Sequence, residues 1–309
     1  MISFLKKIFQ LFILSVFVYI ILLILWGEFI PDGFKNNLFY PAGKSAFTYS
    51  RIKDIPNFKN TDILILGSSH AYRGYDTRIF KAAGFNTFNL GTSSQTPIQT
   101  ELLLAKYLDI LNPKLVLYEI SPDCFTNDGV ESSLDIIANN GIDLQTFWMA
   151  CELNNIKTYN SFIYALYRNI FNRNKGIDED KSKENDMYVS GGFVEKNTLT
   201  FKEISLNDLE NNLWDPKKYE LQAFEKIINN LHKRNIELIF VQAPITKFQY
   251  ELFKDNKIFD NFIKTKGGYY NYNDSNLLQS NIYFGDRNHL NQNGVELFNA
   301  SLIKNILEK

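Results

Sequence analysis

The N-terminal part of the chain contains an apolar run that restricts where the rest of the protein can fold. In residues 8–26 (IFQLFILSVFVYIILLILW) nearly every side chain is apolar, and only Gln10 and Ser15 interrupt the run. This length matches the hydrocarbon core of a bilayer, so we expect a membrane-spanning anchor within residues 1–30. A cleaved signal peptide is the alternative, but residues 27–34 lack a small-x-small cleavage pattern, and the run is longer than a usual signal-peptide core.

Charges on the two sides of this run predict its orientation. Lys6 and Lys7 precede the run, and no comparable basic cluster follows before Glu28 and Asp32. The positive-inside bias therefore places the short N-terminus in the cytoplasm and the remaining chain outside it. We expect a single-pass protein of the inner or plasma membrane, in contact with the lipid bilayer, whose main domain faces the periplasm or the cell surface.

The composition of the chain restricts its domain count and its partners. A chain of 309 residues, 45% of them apolar, can fill the core of one sizeable globular domain. Its 33 basic and 34 acidic residues nearly balance, and no basic stretch alternates with aromatic residues, so nucleic acid is not an expected partner. Cys124 and Cys151 lack CxxC spacing and the chain has three histidines, so we expect no metal site and no cofactor.

The sequence beyond the anchor alternates between strand and helix patterns. Residues 31–60 contain scattered prolines and glycines, which predicts an irregular stalk or capping segment before a domain at residues 61–309. Short apolar runs typical of buried parallel strands occur at residues 63–66, 87–90, 115–120 and 236–241. Stretches with helical periodicity accompany these runs, so we predict a three-layer α/β/α sandwich with a mostly parallel sheet.

The alternation breaks between the third and fourth strands, where we predict an insertion at about residues 127–215. Residues 134–172 are rich in aromatic side chains and predict one or two helices. Residues 174–186 (NKGIDEDKSKEND) are charged and poor in apolar side chains, which predicts a solvated loop. The insertion is either a lid of packing value only or a cap that faces a substrate, and the sequence favours neither.

Two segments far apart in the chain carry side chains typical of nucleophilic catalysis. The turn GSSH at residues 67–70 follows the first strand and exposes side chains at the carboxyl edge of the sheet. Such a turn fits a nucleophile, a helix N-cap or a phosphate loop. Asp286 stands three residues before His289, and this pair favours the nucleophile. A histidine accepts the proton of a serine hydroxyl, while a carboxylate on its other ring nitrogen fixes the tautomer and stabilises the imidazolium.

The chain resembles the SGNH hydrolase superfamily in three blocks. The first, second and fifth blocks of that family correspond here to GSSH, NLGTSSQ and DRNHLNQNG. The GSS variant of the first block, together with the N-terminal anchor, is similar to the extracytoplasmic proteins of teichoic-acid D-alanylation and polysaccharide O-acetylation. The resemblance implies a flavodoxin-like SGNH fold, with Ser69, His289 and Asp286 as the catalytic triad. It makes Ser68 a turn residue in place of the family's aspartate.

The same resemblance implies an oxyanion hole. Its donors would be the backbone N–H groups of Ser69 and Gly91, since a glycine lets the chain approach a substrate closely. The family's third donor is an asparagine after the third strand, but here residues 119–123 read EISPD. Gln95 and Ser121 are the candidates to replace it through a side-chain contact, and a turn or helix-capping role is the alternative for each.

Three further side chains are candidates for substrate binding. His70 follows the predicted nucleophile, with local hydrogen bonding at a helix start as the alternative role. Arg73 lies one turn further on and suits an anionic or sugar group, with a structural bond to Asp76 or a backbone carbonyl as the alternative. Gln242 ends the fourth predicted strand at the same sheet edge.

Three functions fit these features. The first is an O-acyltransferase that loads an acyl group on Ser69 from an acyl donor and passes it to a cell-envelope polysaccharide or polymer. The second is a carbohydrate esterase that passes the acyl group to water, and the third is a non-catalytic envelope scaffold. The anchor favours transfer, because a tethered, outward-facing enzyme suits a membrane-bound acyl donor system such as a multi-spanning membrane acyltransferase.

Overall fold

The centre of the protein is a five-stranded parallel sheet. The computed structural model describes residues 1–196, 201, 213–275, 277–278 and 280–308. In these residues the strands are β1 Ile63–Leu66, β2 Thr87–Asn89, β3 Leu115–Glu119, β4 Ser182–Lys183, β5 Asp186–Val189, β6 Phe193–Lys196, β7 Glu237–Gln242 and β8 Gly268–Asn271. The parallel sheet has the order β2-β1-β3-β7-β8, and β4, β5 and β6 form a separate antiparallel sheet.

Helices cover both faces of the parallel sheet. They are α1 Ile2–Phe29, α2 Thr48–Asp54, α3 Ser69–Gly74, α4 Thr77–Ala82, α5 Pro97–Leu111, α6 Asp123–Thr126, α7 Val130–Asn139, α8 Leu144–Leu153, α9 Ile156–Ile170, α10 Lys218–Lys233, α11 Lys247–Leu252, α12 Asn256–Lys264 and α13 Gln292–Leu302. Leu64 and Leu66 of β1 pack toward α5 and α10, whereas Ile63 and Ile65 pack toward α3, α4 and α13. The predicted three-layer α/β/α sandwich is confirmed.

The predicted strands are present, and one strand of the sheet was not predicted. The four apolar runs form β1, β2, β3 and β7, with ends that differ from the prediction by at most one residue. The fifth strand, β8, lies at the sheet edge beside β7, and its side chains stay partly exposed. Its sequence, GYYN, therefore lacks the continuous apolar run by which buried strands are recognised.

The segment between β3 and β7 contains more regular structure than predicted. Residues 134–172 contribute to three helices, α7, α8 and α9. Residues 174–186, predicted as a solvated loop, include β4, and the Glu179 side chain is buried and accepts a hydrogen bond from the Ser50 N–H at 2.9 Å. Residues 197–200 and 202–212 of the predicted insertion lie outside the described residues.

Residues 31–60, for which we predicted an irregular stalk or a capping segment, pack on the domain. They include helix α2, and Arg51 in this helix is completely buried. The Arg51 guanidinium donates hydrogen bonds to the Gly192 carbonyl at 3.1 and 3.2 Å and to the Ala46 carbonyl at 3.2 Å. Burial of this arginine is tolerated because backbone carbonyls accept its protons. The segment thus connects the anchor to the β4–β6 sheet.

Helix α1 is the candidate membrane segment. It has 28 residues and is long and apolar enough to cross a bilayer. A membrane span and a signal sequence share these properties. The location and orientation deduced from Lys6 and Lys7 therefore remain a prediction.

Candidate active site

The turn after β1 places Ser69 at the point where the sheet reverses its strand order. Strands β2 and β3 lie on opposite sides of β1, and open α/β sheets bind ligands at the carboxyl ends of strands at such a point. Gly67 ends the strand with φ +136°, and a Cβ there would lie 2.6 Å from the Glu119 carbonyl oxygen. Glycine at this position lets the chain turn sharply into α3, which begins at Ser69.

The second part of the site is the loop of residues 285–290. A β-bridge between Phe284 and Leu290 closes this loop at its base. The Asp286 Oδ1 atom accepts the backbone N–H groups of Asn288 and His289, each at 2.9 Å, so the aspartate fixes the shape of its own loop. The Asn291 side chain then caps α13 by accepting the Gly294 N–H at 3.1 Å.

The structure brings Ser69, His289 and Asp286 into one hydrogen-bonded chain. His289 Nε2 lies 2.9 Å from Ser69 Oγ, and His289 Nδ1 lies 3.0 and 3.1 Å from the two Asp286 carboxylate oxygens. These are contact distances for proton transfer. The His289 and Asp286 side chains are 20% and 23% exposed, so solvent and small molecules can reach them. This arrangement can activate a serine hydroxyl as a nucleophile.

The two adjacent serines face different partners. Ser69 Oγ contacts His289, whereas Ser68 is buried and its hydroxyl points to Glu119 Oε2 at 3.5 Å. The Ser68 backbone N–H also donates a hydrogen bond to the Glu119 carboxyl group. Ser68 therefore ties the turn to the end of β3, and only Ser69 is presented to the histidine.

A lysine from the β4–β6 sheet completes the surroundings of Asp286. Lys196 Nζ lies 3.1 Å from Asp286 Oδ2, and both side chains are about one quarter exposed, at 26% and 23%. Burial alone would raise the pKa of the Asp286 carboxyl. Hydrogen bonds from His289 and the Asn288 N–H, together with the Lys196 charge, hold that pKa well below its usual range. Asp286 is therefore ionised at neutral pH.

The predicted oxyanion donors have structural partners, with the exception of Ser69. The Gly91 N–H donates to Asn89 Oδ1 at 3.1 Å. Gly91 is needed for close packing, but against the turn rather than a substrate, because a Cβ would lie 2.9 Å from the Ser68 carbonyl oxygen. The buried Gln95 amide pairs with the Thr92 and Thr100 hydroxyls at 2.9 and 2.8 Å.

Ser121 and Ser69 complete the set of predicted donors. The buried Ser121 hydroxyl contacts Cys124 Sγ at 3.5 Å, which is a local contact within the start of α6. Ser69 is the first residue of α3, and the first N–H groups of a helix have no intrahelical acceptor. Of the predicted donors, the Ser69 N–H is therefore the one best placed to receive an oxyanion.

A second histidine and a buried acid lie beside the hydrogen-bonded chain. The His70 ring centroid is 5.4 Å from that of His289, and His70 Nδ1 is 3.7 Å from Glu119 Oε1. Burial, and the nearby His289, lower the pKa of His70 to about 3, and burial raises the pKa of Glu119 to about 8. Both side chains are therefore neutral at pH 7, and the pair is not a salt bridge.

Two predicted substrate ligands have structural partners instead. Arg73 forms a bidentate ion pair with Asp186 of β5, at 3.0 and 2.6 Å, so it links helix α3 to the β4–β6 sheet. For a structural role of Arg73 we expected a bond to Asp76 or a backbone carbonyl, whereas the observed partner is Asp186. Gln242 is buried and accepts the Tyr269 hydroxyl at 2.9 Å within the edge of the sheet. Each side chain therefore has a structural role, and a contact of either with a substrate stays a prediction.

Lys196 and Asp186 were not among the sequence candidates. Lys196 precedes Asp286 by 90 residues and Asp186 follows Arg73 by 113, so no short motif links either pair. The charged side chains at the two ends of residues 182–196 were the available sign that this segment faces other charged groups. Within the described residues, no group of three histidine, cysteine or carboxylate side chains is placed to hold a metal ion.

Comparison with known proteins finds solved structures that resemble the chain at low sequence identity. The chain is similar to a proposed acylhydrolase from Bacteroides fragilis, with 12% identity and a TM-score of 0.42, over 85% of this chain and 97% of that one. It is also similar to a GDSL-like lipase from Bacteroides thetaiotaomicron, with 14% identity and a TM-score of 0.42, over 85% of this chain and 98% of that one. No protein-family model and no curated protein matches the chain. Its own sheet order and helical layers make it a three-layer α/β/α protein, with a linked serine, histidine and aspartate at the carboxyl edge of the sheet.

Proposed function

We propose that this protein is a serine esterase or O-acyltransferase of the SGNH type, with Ser69, His289 and Asp286 as its catalytic triad. The observation that carries the proposal is the continuous contact from Ser69 Oγ through the imidazole to the Asp286 carboxylate, at 2.9, 3.0 and 3.1 Å. The ionised Asp286, held by Lys196 and two backbone N–H groups, gives the imidazole a fixed orientation.

The proposed reaction proceeds through an acyl-enzyme. Ser69 Oγ attacks the ester carbonyl while His289 Nε2 takes the hydroxyl proton, and Asp286 stabilises the imidazolium that forms. The Ser69 N–H donates to the oxyanion of the tetrahedral intermediate. His289 then returns the proton to the leaving alcohol, and the acyl group stays on Ser69. In the second half, His289 takes a proton from a water molecule or an acceptor alcohol, whose oxygen attacks the acyl carbonyl, and His289 then returns that proton to Ser69 Oγ as the acyl–serine bond breaks.

We further propose that the acceptor is a cell-envelope polysaccharide or polymer and that the domain faces away from the cytoplasm. The apolar helix α1, with Lys6 and Lys7 near its N-terminal end, supports this location. A tethered enzyme beside the membrane suits an acyl donor system that spans the membrane, such as a multi-spanning acyltransferase. The esterase and the transferase share the acyl-enzyme and differ in whether water or the acceptor reaches it.

Active-site labelling of the full-length protein tests the triad. A fluorophosphonate probe should label the wild type, and Ser69→Ala should abolish labelling. Ser68→Ala is the matched control and should keep most of it, because that hydroxyl faces Glu119. His289→Ala should be about as damaging as Ser69→Ala, because nucleophile and base act as a unit, and Asp286→Asn should slow labelling by orders of magnitude yet less than either. Labelling that survives in Ser69→Ala but is lost in Ser68→Ala would assign the nucleophile to the neighbouring residue.

A second measurement separates the three candidate functions. Wild-type protein in membranes is supplied with a small activated ester and with an oligosaccharide acceptor, and acylated acceptor and free acid are quantified. Acylated acceptor identifies a transferase and free acid alone identifies an esterase. A folded protein that gives neither product and no labelling would be the scaffold.

A further inference from the structure

The domain holds the last part of the candidate membrane helix. The Tyr19 hydroxyl donates to Asn160 Oδ1 at 2.6 Å, and the Tyr164 hydroxyl donates to Glu28 Oε1 at 3.0 Å. Arg168 adds an ion pair with Glu28. Tyr19, earlier in α1, thus contacts Asn160, earlier in α9. Glu28, at the end of α1, contacts Arg168, near the end of α9. The two helices therefore run in the same direction, and the start of α9 points back toward the membrane.

Residues 34–39 also return along α1. Lys35 Nζ donates to the Gly27 carbonyl at 2.7 Å, and Asn160 Nδ2 donates to the Asn37 carbonyl at 2.9 Å. Leu38 packs with Leu23 and Tyr164 in a small apolar cluster. After the end of α1 the chain thus comes back to the level of Tyr19. Residues 34–39 and the start of α9 together form what we call the anchor collar.

The membrane must extend past Tyr19, the level at which the anchor collar contacts α1. Tyr19 follows Lys7 by twelve residues, which in a helix spans only about 18 Å. A bilayer core is about 30 Å thick and needs about 20 residues of helix. The apolar run extends to Trp26, seven residues or about 10 Å beyond Tyr19. A bilayer that covers the run to Trp26 therefore also surrounds whatever is attached to α1 at the level of Tyr19.

We infer that the anchor collar is embedded in the membrane leaflet nearest the domain, to a depth of about 10 Å below Trp26. This inference rests on the proposed membrane anchor and not on the proposed chemistry. Phe34, Phe39 and Ile156 in the collar are 71%, 45% and 55% exposed, which suits acyl chains better than water. A groove of about 480 Å³ between α1 and this segment is lined mainly by apolar and aromatic side chains, including Leu22, Trp26 and Phe34, and by three asparagines, Asn36, Asn37 and Asn160.

The polar groups through which the collar contacts α1 at the level of Tyr19 also fit a lipid environment. Groups surrounded by hydrocarbon must find their hydrogen-bond partners within the protein. The Tyr19 hydroxyl, both ends of the Asn160 amide and the Asn37 carbonyl satisfy one another. Lys157 has its ammonium 5.6 Å from the centroid of the Phe39 ring, and its long stem can carry that charge up to the headgroups. An exposed tyrosine on a simple anchor would need none of these partners.

Depth-dependent quenching on the full-length protein in phosphatidylcholine vesicles tests this inference. Cys124 and Cys151 are first replaced by serine, and single cysteines are then introduced and labelled with an environment-sensitive fluorophore. The test positions are Phe34→Cys and Ile156→Cys. The matched control is Ile258→Cys, also an isoleucine in a helix and 57% exposed against 55% for Ile156. Leu14→Cys within α1 reports membrane insertion itself.

A nitroxide on the lipid acyl chain should strongly quench the labels at positions 34, 156 and 14. Aqueous iodide should quench these three labels at least fivefold less than the label at position 258. If the label at position 14 is buried in lipid but those at 34 and 156 respond to iodide like position 258, the inference is wrong and the anchor stands. If position 14 also responds to iodide, the anchor and the embedded collar both fail. Fluorophosphonate labelling in the same vesicles reports separately on the proposed chemistry.

Discussion

Replacing Glu119 with glutamine should remove a pH-dependent loss of stability that the buried carboxyl group imposes. Glu119 is completely buried beneath the nucleophile turn, and its Oε1 atom has no hydrogen-bond partner among the described residues. Burial raises the pKa of this carboxyl from 4.5 to about 8, against the opposing hydrogen bonds from Ser68 and the Ala243 N–H. The folded protein therefore keeps a proton that the unfolded chain has already released.

The sign and size of the effect follow from proton linkage. Between pH 4.5 and about pH 8 the folded state binds more protons than the unfolded state, so stability falls as pH rises through this window. The slope is about 1.4 kcal/mol per pH unit, and from pH 5 to pH 8 the loss approaches about 4 kcal/mol. Losses of this size are a large part of a typical domain stability of about 5–15 kcal/mol.

Glu119→Gln resembles the protonated acid in shape and charge. Its amide oxygen can accept the Ser68 N–H, and its NH₂ group then takes the place of Oε1, which faces His70 Nδ1 at 3.7 Å. Urea unfolding of the full-length protein in mild detergent at pH 5, 6, 7 and 8 gives the comparison. The variant should gain on the wild type as pH rises, by about 3–4 kcal/mol between pH 5 and pH 8. Asp135 and Glu220, whose pKa values burial raises to about 7, contribute equally to both proteins.

Glu296→Gln, at an exposed glutamate of α13, is the control and should follow the wild type at every pH. A constant difference between Glu119→Gln and the wild type from pH 5 to pH 8 would refute the reasoning, as would a variant less stable than the wild type at pH 8. Either outcome would mean that the Glu119 carboxyl is ionised in the folded protein throughout this range.

Two further substitutions test the surroundings of the triad. Lys196→Met should lower kcat/KM on an activated ester by less than about tenfold, because a partly exposed ion pair is worth about 0.2–1 kcal/mol. The substitution should also reduce the salt dependence of kcat/KM. A loss as large as that of Asp286→Asn would show that the lysine is indispensable. Gly91→Ala should slow fluorophosphonate labelling by more than about tenfold and cost about 1–3 kcal/mol, because its Cβ would lie 2.9 Å from the Ser68 carbonyl oxygen. Gly268→Ala, whose Cβ would meet nothing closer than 4.0 Å, is the control, and equal behaviour of the two variants would refute the packing argument.

The sheet and its helices could be predicted because their signals are local. A buried parallel strand is an apolar run, as in β1, β3 and β7, and an amphipathic helix such as α10 repeats its apolar side chains every three to four residues. The edge strand β8 has neither signal, since its exposed side permits polar and aromatic side chains. The contacts of residues 31–60 with the domain could not be predicted from the sequence, because the buried Arg51 donates to a carbonyl 141 residues away.

The juxtaposition of Ser69 with His289 and Asp286 could be predicted because each partner lies in a short recognisable block. The surroundings of these residues could not. The Gly91 N–H is a plausible oxyanion donor in the sequence, but the Asn89 side chain two residues earlier accepts it, and that depends on a rotamer. The Lys196 contact with Asp286 depends on how the β4–β6 sheet is docked, which ion pairs such as Arg73 with Asp186 determine.

The distance along the chain between Ser69 and His289 has a consequence for the order of events in synthesis. Ser69 and His289 are separated by 220 residues, and α13 docks on the nucleophile helix through Asn299, which donates to the Gly74 carbonyl at 2.7 Å and accepts the Asp76 N–H at 3.1 Å. A nascent chain that has emerged as far as the sheet therefore holds a serine with no base beside it. In the proposed mechanism the Ser69 hydroxyl is activated only after residues 285–290 have been made and have folded back against α3, so a chain that stops before this loop would carry no activated serine.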